Sequence, residues 1–127
     1  MLKSDCGFRR IRKPLASLKT QSDFKRVFKH GKSAAMPLFV VYAAANDLGA
    51  NRLGLSVSKK IGNAVKRNRV RRLIKESCRL ALVDSTSPHG FDLIVIARVP
   101  AGELPKEGSF EKVSTTLLKL FGRLGVK

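Results

Sequence analysis

Acidic residues are scarce in this 127-residue chain: nine Asp and Glu stand against 26 Lys and Arg. Protein nucleases that cut with their own metal ions hold those ions in clustered carboxylates. Here Asp84 ends a helical stretch, Asp92 lies inside an apolar run, and Glu103, Glu107 and Glu111 spread over the last connection. None pairs with His30 or His89 at ligand spacing, so no catalytic residue and no protein-bound metal is assigned. Cysteine is almost missing. Cys6 and Cys78 are far apart and offer neither a disulfide framework nor metal-ligand spacing, which points to a reducing compartment. Long apolar runs are missing too. The uncharged stretch Ala34 to Ala45 is broken by Pro37, is too short to span a bilayer, and is internal, unlike a signal peptide. A soluble, cytoplasmic protein without membrane contact is expected.

What the chain has in excess is positive charge. Its formal net charge is +17, far more than solubility needs, and such a field repels itself unless a polyanion neutralises it. Residues 1–32 carry ten basic and two acidic groups, and residues 59–79 carry nine basic groups with only Glu76. Residues 33–58 are neutral, and residues 80–127 add six basic and five acidic groups. Nearly all the excess therefore sits in two blocks flanking an apolar segment, a distribution that favours a nucleic acid partner. With 43% hydrophobic residues the chain can still bury one core.

Periodicity gives a coarse order of elements. Residues 1–17 read as an irregular basic arm, and 18–127 as a single domain. A first helix is expected from Gln21 to His30, with Thr20 and Asp23 as a capping pair, Gly31 as its stop, and Phe24, Val27 and Phe28 on one face. Ser33 to Met36 suits a short edge strand, Leu38 to Ala45 a central strand, and Arg52 to Val57 an alternating strand with Leu53, Leu55 and Val57 on one side. Asn46 to Gly49 reads as a turn. A second helix is expected from Asn63 to Val83, its buried stripe Val70, Leu73, Ile74, Ser77 and Ala81. Asn68, Arg71, Arg72, Lys75 and Arg79 cluster on the opposite side, with Arg67 and Arg69 at the edges of the stripe. After a loop at Pro88-His89-Gly90, Phe91 to Val99 is a buried strand. Ser109 is expected to cap a last helix carrying Phe110, Val113, Leu117, Leu120 and Phe121 at helical spacing. The order α-β-β-β-α-β-α is an α+β sandwich.

The run Gly54 to Glu76, GLSVSKKIGNAVKRNRVRRLIKE, resembles the signature of the bacterial ribonuclease P protein family, centred on Arg67-Asn68-Arg69. The likeness extends back through Asp23-Phe24, Phe28-Lys29-His30-Gly31 and Phe39-Val40-Val41-Tyr42, and forward, more loosely, through Asp92 to Arg98. The resemblance implies a protein subunit that binds a catalytic RNA, the two together removing the 5′ leader of precursor tRNA. It implies a mixed four-stranded sheet with a left-handed β-α-β crossover, as in domain 2 of ribosomal protein S5, although such crossovers are ordinarily right-handed. Arg67, Asn68, Arg69, Arg72 and Lys75 would face the RNA subunit, with Lys59 and Lys60 in the same matched run. Phe24, Phe28, Val40 and Tyr42 match the lining of a cleft for the single-stranded leader. Magnesium would be held mostly by the RNA, and no obligate protein partner is implied.

The residues themselves support these assignments unequally. Arginine's planar fork suits phosphate oxygens, and Asn68 adds a neutral donor and acceptor among charges. Five such groups on one helix face, with one acid nearby, exceed an ordinary solvated face, so Arg71 and Arg79 join the RNA-facing set. Phe24 and Phe28, taken alone, read as core packing; only the resemblance gives them to the leader. Tyr42 is the better single candidate because its hydroxyl needs a polar partner. Arg98 follows a buried strand within reach of the same cleft. A ribosomal or general RNA-binding module explains the charge equally well.

Overall fold

The computed structural model describes residues 16–18, 20–46, 51–82 and 90–126. In chain order these form β1 (Ala16–Ser17), α1 (Gln21–His30), β2 (Lys32–Ala35), β3 (Phe39–Ala45), β4 (Arg52–Ser56), α2 (Ala64–Leu82), β5 (Phe91–Ala97) and α3 (Ser109–Leu124). Short 3-10 turns occupy Lys59–Ile61 and Val99–Glu103. The turn expected at residues 47–49, the loop at 88–89 and the arm through residue 15 lie outside the described residues.

One mixed sheet runs β1-β4-β5-β3-β2. It has five strands where four were expected, because the supposed arm enters the sheet at its end. Ala16 and Ser17 pair in parallel with Arg52 and Leu53, and the Leu18 N–H donates to the Leu53 carbonyl at 3.0 Å. Leu18 is buried, which anchors the segment that leads into α1. β3 is antiparallel to both β2 and β5, whereas β4 and β5 are parallel and joined through α2, the expected β-α-β crossover.

Strand alternation sorts the apolar residues into two layers. Phe39, Val41, Ala43, Leu53, Val57, Leu93 and Val95 face the larger core, under α2 and α3. Tyr42, Ala44, Ile94 and Ile96 face α1, where Val27 and Leu18 complete a smaller cluster. Three layers result: α1, the sheet, and the α2/α3 pair.

The helix ends show why local sequence succeeded and where it failed. Thr20 Oγ1 accepts from the Asp23 N–H at 3.2 Å and donates to Asp23 Oδ2 at 2.8 Å, so α1 starts as expected. Asn63 Oδ1 accepts from the Lys66 N–H at 3.0 Å and starts α2 one residue later than proposed. Ser109 is not the cap of α3: Gly108 takes that position with a left-handed φ of 74°, and Ser109 Oγ donates to the Lys106 carbonyl. Phe110 points to the exposed side, while Thr116 and Leu124 join the buried stripe. On α2, Cys78 is fully buried, whereas Leu73 and Ala81 are only partly so. The last strand stops at Ala97 because Pro100 and the 3-10 turn take the chain away from the ladder.

Candidate nucleic-acid interface

The outward face of α2 is cationic. Asn68, Arg72 and Lys75 are exposed, and Arg71 and Arg79 are half-buried beside them. Arg71 Nη1 donates to Asn68 Oδ1 at 3.0 Å, and Arg79 pairs with Glu76. Arg67 is half-buried, its Nε without a hydrogen-bond partner among the described residues. Arg69 turns inward: its Nη2 donates to the carbonyls of Leu104 at 2.9 Å and Pro105 at 3.0 Å. The sequence placed Arg67 and Arg69 alike at the stripe's edges, but only Arg69 finds main-chain acceptors, in a connection folded back from residue 98.

Lys59, Lys60 and Arg98 converge on the same end of the sheet. β4 and β5 run in parallel with Ser56 opposite Ile96, so the residues following both strands emerge side by side. The two 3-10 turns pack together there. A Cβ added at Gly102 would come within 2.4 Å of the Ile61 carbonyl oxygen, so only glycine allows that approach. Lys59, Lys60 and Arg98 are all exposed, and α2 begins from this edge with Arg67 and Asn68 in its first turns.

On the opposite face, α1 crosses the sheet and covers it incompletely. Phe28 is 44% exposed, and its ring meets Tyr42 edge-on, centroids 4.9 Å apart at 80°. Phe24 stands 6.4 Å from Phe28. Val40 and Ile96, paired across β3 and β5, are half-buried, and Ala35 and Ser56 extend their row to exposed positions. The result is a shallow strip, aromatic on the α1 side and small or aliphatic on its floor, opening toward Lys59, Lys60 and Arg98. Phe24, Phe28, Val40 and Tyr42 are thus brought together, and neither Phe28 nor Tyr42 is a buried core residue.

The sequence reading passed over a buried ionic hub. Asp92, fully buried, has the same strand parity as Ile94 and Ile96 and faces α1. Arg52 grips it with two hydrogen bonds, Nε to Oδ1 at 2.7 Å and Nη2 to Oδ2 at 2.6 Å. Asn46 Nδ2 donates to Oδ1 at 2.7 Å, and Arg26 from α1 closes on Oδ2. Arg52 also reaches Asp23 at 3.4 Å. Burial pushes the Asp92 carboxyl up, but hydrogen bonds from Arg52 and Asn46 and the charges of Arg52 and Arg26 outweigh it, so its pKa is lowered. The hydrogen bond to Asp92 raises Arg52 in turn, against the opposing effect of burial. The signal was available: an acid inside an apolar strand must find cationic partners or remain neutral.

Among the described residues no group of three or more His, Cys, Asp or Glu is placed to hold a metal ion, and no helix is long and apolar enough to cross a membrane.

The family model described as Ribonuclease P matches residues 13–125. The chain is 43% identical to the ribonuclease P protein component of Clostridioides difficile, over 86% of this chain and 91% of the relative. It is 46% identical to that of Lachnoclostridium phytofermentans, over 82% and 84%. Among solved structures, it is similar to the Staphylococcus aureus RNase P protein (TM-score 0.75, 36% identity, 87% and 95% covered). It is also similar to the RNase P protein of Thermotoga maritima (TM-score 0.72, 36% identity, 84% and 96% covered).

Proposed function

Because the chain belongs to the ribonuclease P protein family, we propose that it seats the catalytic RNA on the exposed face of α2 and holds the precursor's 5′ leader against the aromatic strip under α1. The observation that carries this reading is the division of the molecule into two unlike surfaces on opposite sides of the sheet. Folded RNA presents phosphates and 2′-hydroxyls rather than base edges, and a helix bearing Asn68, Arg71, Arg72, Lys75 and Arg79 suits that target. Single-stranded RNA offers free base faces, and an exposed Phe28 against Tyr42 suits stacking. Lys59, Lys60, Arg67 and Arg98 stand between the two surfaces and would neutralise the phosphates where leader and RNA subunit approach one another.

Chemistry would belong to the RNA. Asp92 is the only buried carboxylate among the described residues, and two arginines and Asn46 already occupy its oxygens. These residues do not fit a divalent ion, so the magnesium the reaction needs is assigned to the RNA partner. The setting is the cytoplasm. The test compares holoenzyme affinity for precursor tRNA and for mature tRNA: tighter binding of the precursor is expected. Equal affinity would remove the leader from the α1 face, and a protein that copurifies mainly with ribosomal RNA would instead be a general RNA-binding module.

A further inference from the structure

Helix α1 carries both phenylalanines of the aromatic strip, yet little apolar burial holds it in place. Of its ten residues only Val27 is buried, against five on α2 and seven on α3. Apart from Val27 and the rings of Phe24 and Phe28, which rest against Gly54 and Tyr42, its attachments are ionic. Arg26 reaches Asp92 and, at 3.5 Å, the Ala45 carbonyl, while Asp23 meets Arg52. Both side chains lie on the flank of α1 away from Phe28 and tie it to β4 and β5, which adjoin β3, the strand that carries Tyr42 and Val40.

We propose that the Asp92–Arg26–Arg52 hub is a positioning device for leader recognition: it fixes the height and rotation of α1 and so sets the gap between Phe28 and the floor at Tyr42 and Val40. A helix is rigid over one turn, so a shift at Arg26 is passed to Phe24 and Phe28, which bracket it in sequence. Charge-assisted hydrogen bonds are directional where a single buried valine is not, which suits them to setting an angle. Formally the hub balances two arginines against Asp92 and Asp23, so it adds no net charge to attract RNA. Arg26 and Arg52 are thereby distinguished from the phosphate-facing arginines of α2, and Asp92 has a role although it touches no RNA. The inference rests on the leader reading given above.

Two variants with opposite charge changes test it. Asp92→Asn raises the net charge by one, and Arg26→Ala lowers it by one. Holoenzyme assembled with each full-length variant is assayed for binding of precursor and mature tRNA across a salt series. Positioning predicts that both lose precursor affinity by roughly fivefold or more, the weak end of losing a stacked base. Mature tRNA affinity and the salt slope should not change. The free chain adds a spectroscopic check: it has one tyrosine and no tryptophan, so its intrinsic emission reports Tyr42 alone, and both variants should alter it. The proposal is overturned if precursor affinity follows charge, tightening in Asp92→Asn and weakening in Arg26→Ala with a slope changed by about one phosphate. It is equally overturned if both variants keep wild-type discrimination. Should Asp92→Asn fail to fold, Arg26→Ala decides alone: lost precursor affinity with an unchanged slope supports positioning, a reduced slope makes Arg26 a phosphate contact, and wild-type discrimination overturns the proposal. A wild-type holoenzyme that does not prefer the precursor refutes the leader reading itself, a different result from either.

Discussion

Phe24 lies directly across Gly54: a Cβ added to that glycine would come within 2.6 Å of Phe24 Cζ and 3.3 Å of Leu18 Cβ. The β4 strand thus keeps a bare backbone where α1 crosses it. Gly54→Ala should displace the Phe24 ring and destabilise the fold by about 1–3 kcal/mol, the usual cost of overpacking. Denaturant unfolding measures the loss. An unchanged midpoint would mean that α1 yields freely at this contact.

Phe28 and Tyr42 should separate recognition from stability. Phe28→Ala removes a ring that is 44% exposed, so its effect on unfolding should be small. Leader affinity in the holoenzyme should fall by about 1–3 kcal/mol if a base stacks there. Tyr42→Ala should do the same with a larger stability cost, because Tyr42 is half-buried against Phe28. A variant that lowers the melting temperature but leaves precursor binding intact would return that residue to the core.

Arg72 and Arg69, three residues apart on α2, should behave differently. Arg72 is exposed, and its alanine variant should weaken RNA-subunit binding and reduce the salt slope by roughly one phosphate. Arg69 donates to two main-chain carbonyls, and Arg69→Ala should cost about 1.5–3 kcal/mol of stability with the slope nearly unchanged. Equal slopes for the two variants would contradict this division.

Acid should loosen α1. The folded-state pKa of Asp92 lies below the ordinary 3.8, so its contribution to stability is fully present above that value. It is lost as pH falls through the lower folded value. Unfolding free energy measured downward from pH 5 should therefore decline more steeply in the wild type than in Asp92→Asn, which has no carboxyl to titrate. Parallel curves would show that the hub adds no pH-dependent stability.

Cys78 should resist thiol reagents. Its burial on the inner face of α2 pushes the thiol pKa up to about 12, so almost no thiolate exists near neutrality. In a Cys6→Ser background, labelling should proceed only at the rate of unfolding. Rapid labelling of the folded chain would show that α2 opens readily.

Local chemistry made much of this protein legible from its residues in order. Thr20 and Asp23 announce a helix start, Asn63 another, and the spacing of Val70, Ile74 and Ser77 turns the cations of α2 outward whatever lies beneath. The run around Arg67-Asn68-Arg69 was sufficient to suggest the family. These signals survive because caps and helical faces depend on neighbours within about four positions.

Distance in sequence decided the rest. Ala16 and Ser17 have no strand signal of their own and become a strand only because β4 offers an open edge. Arg69 looks like its neighbours until residues 104 and 105 fold back beneath it. Asp92 acquires its meaning from Arg26 and Arg52, 66 and 40 residues away. Phe24 and Phe28 fit a buried stripe equally well in the linear chain. Only the short reach of α1 over the sheet leaves Phe28 in solvent, because exposure belongs to the packed layers and not to the helix that carries the ring.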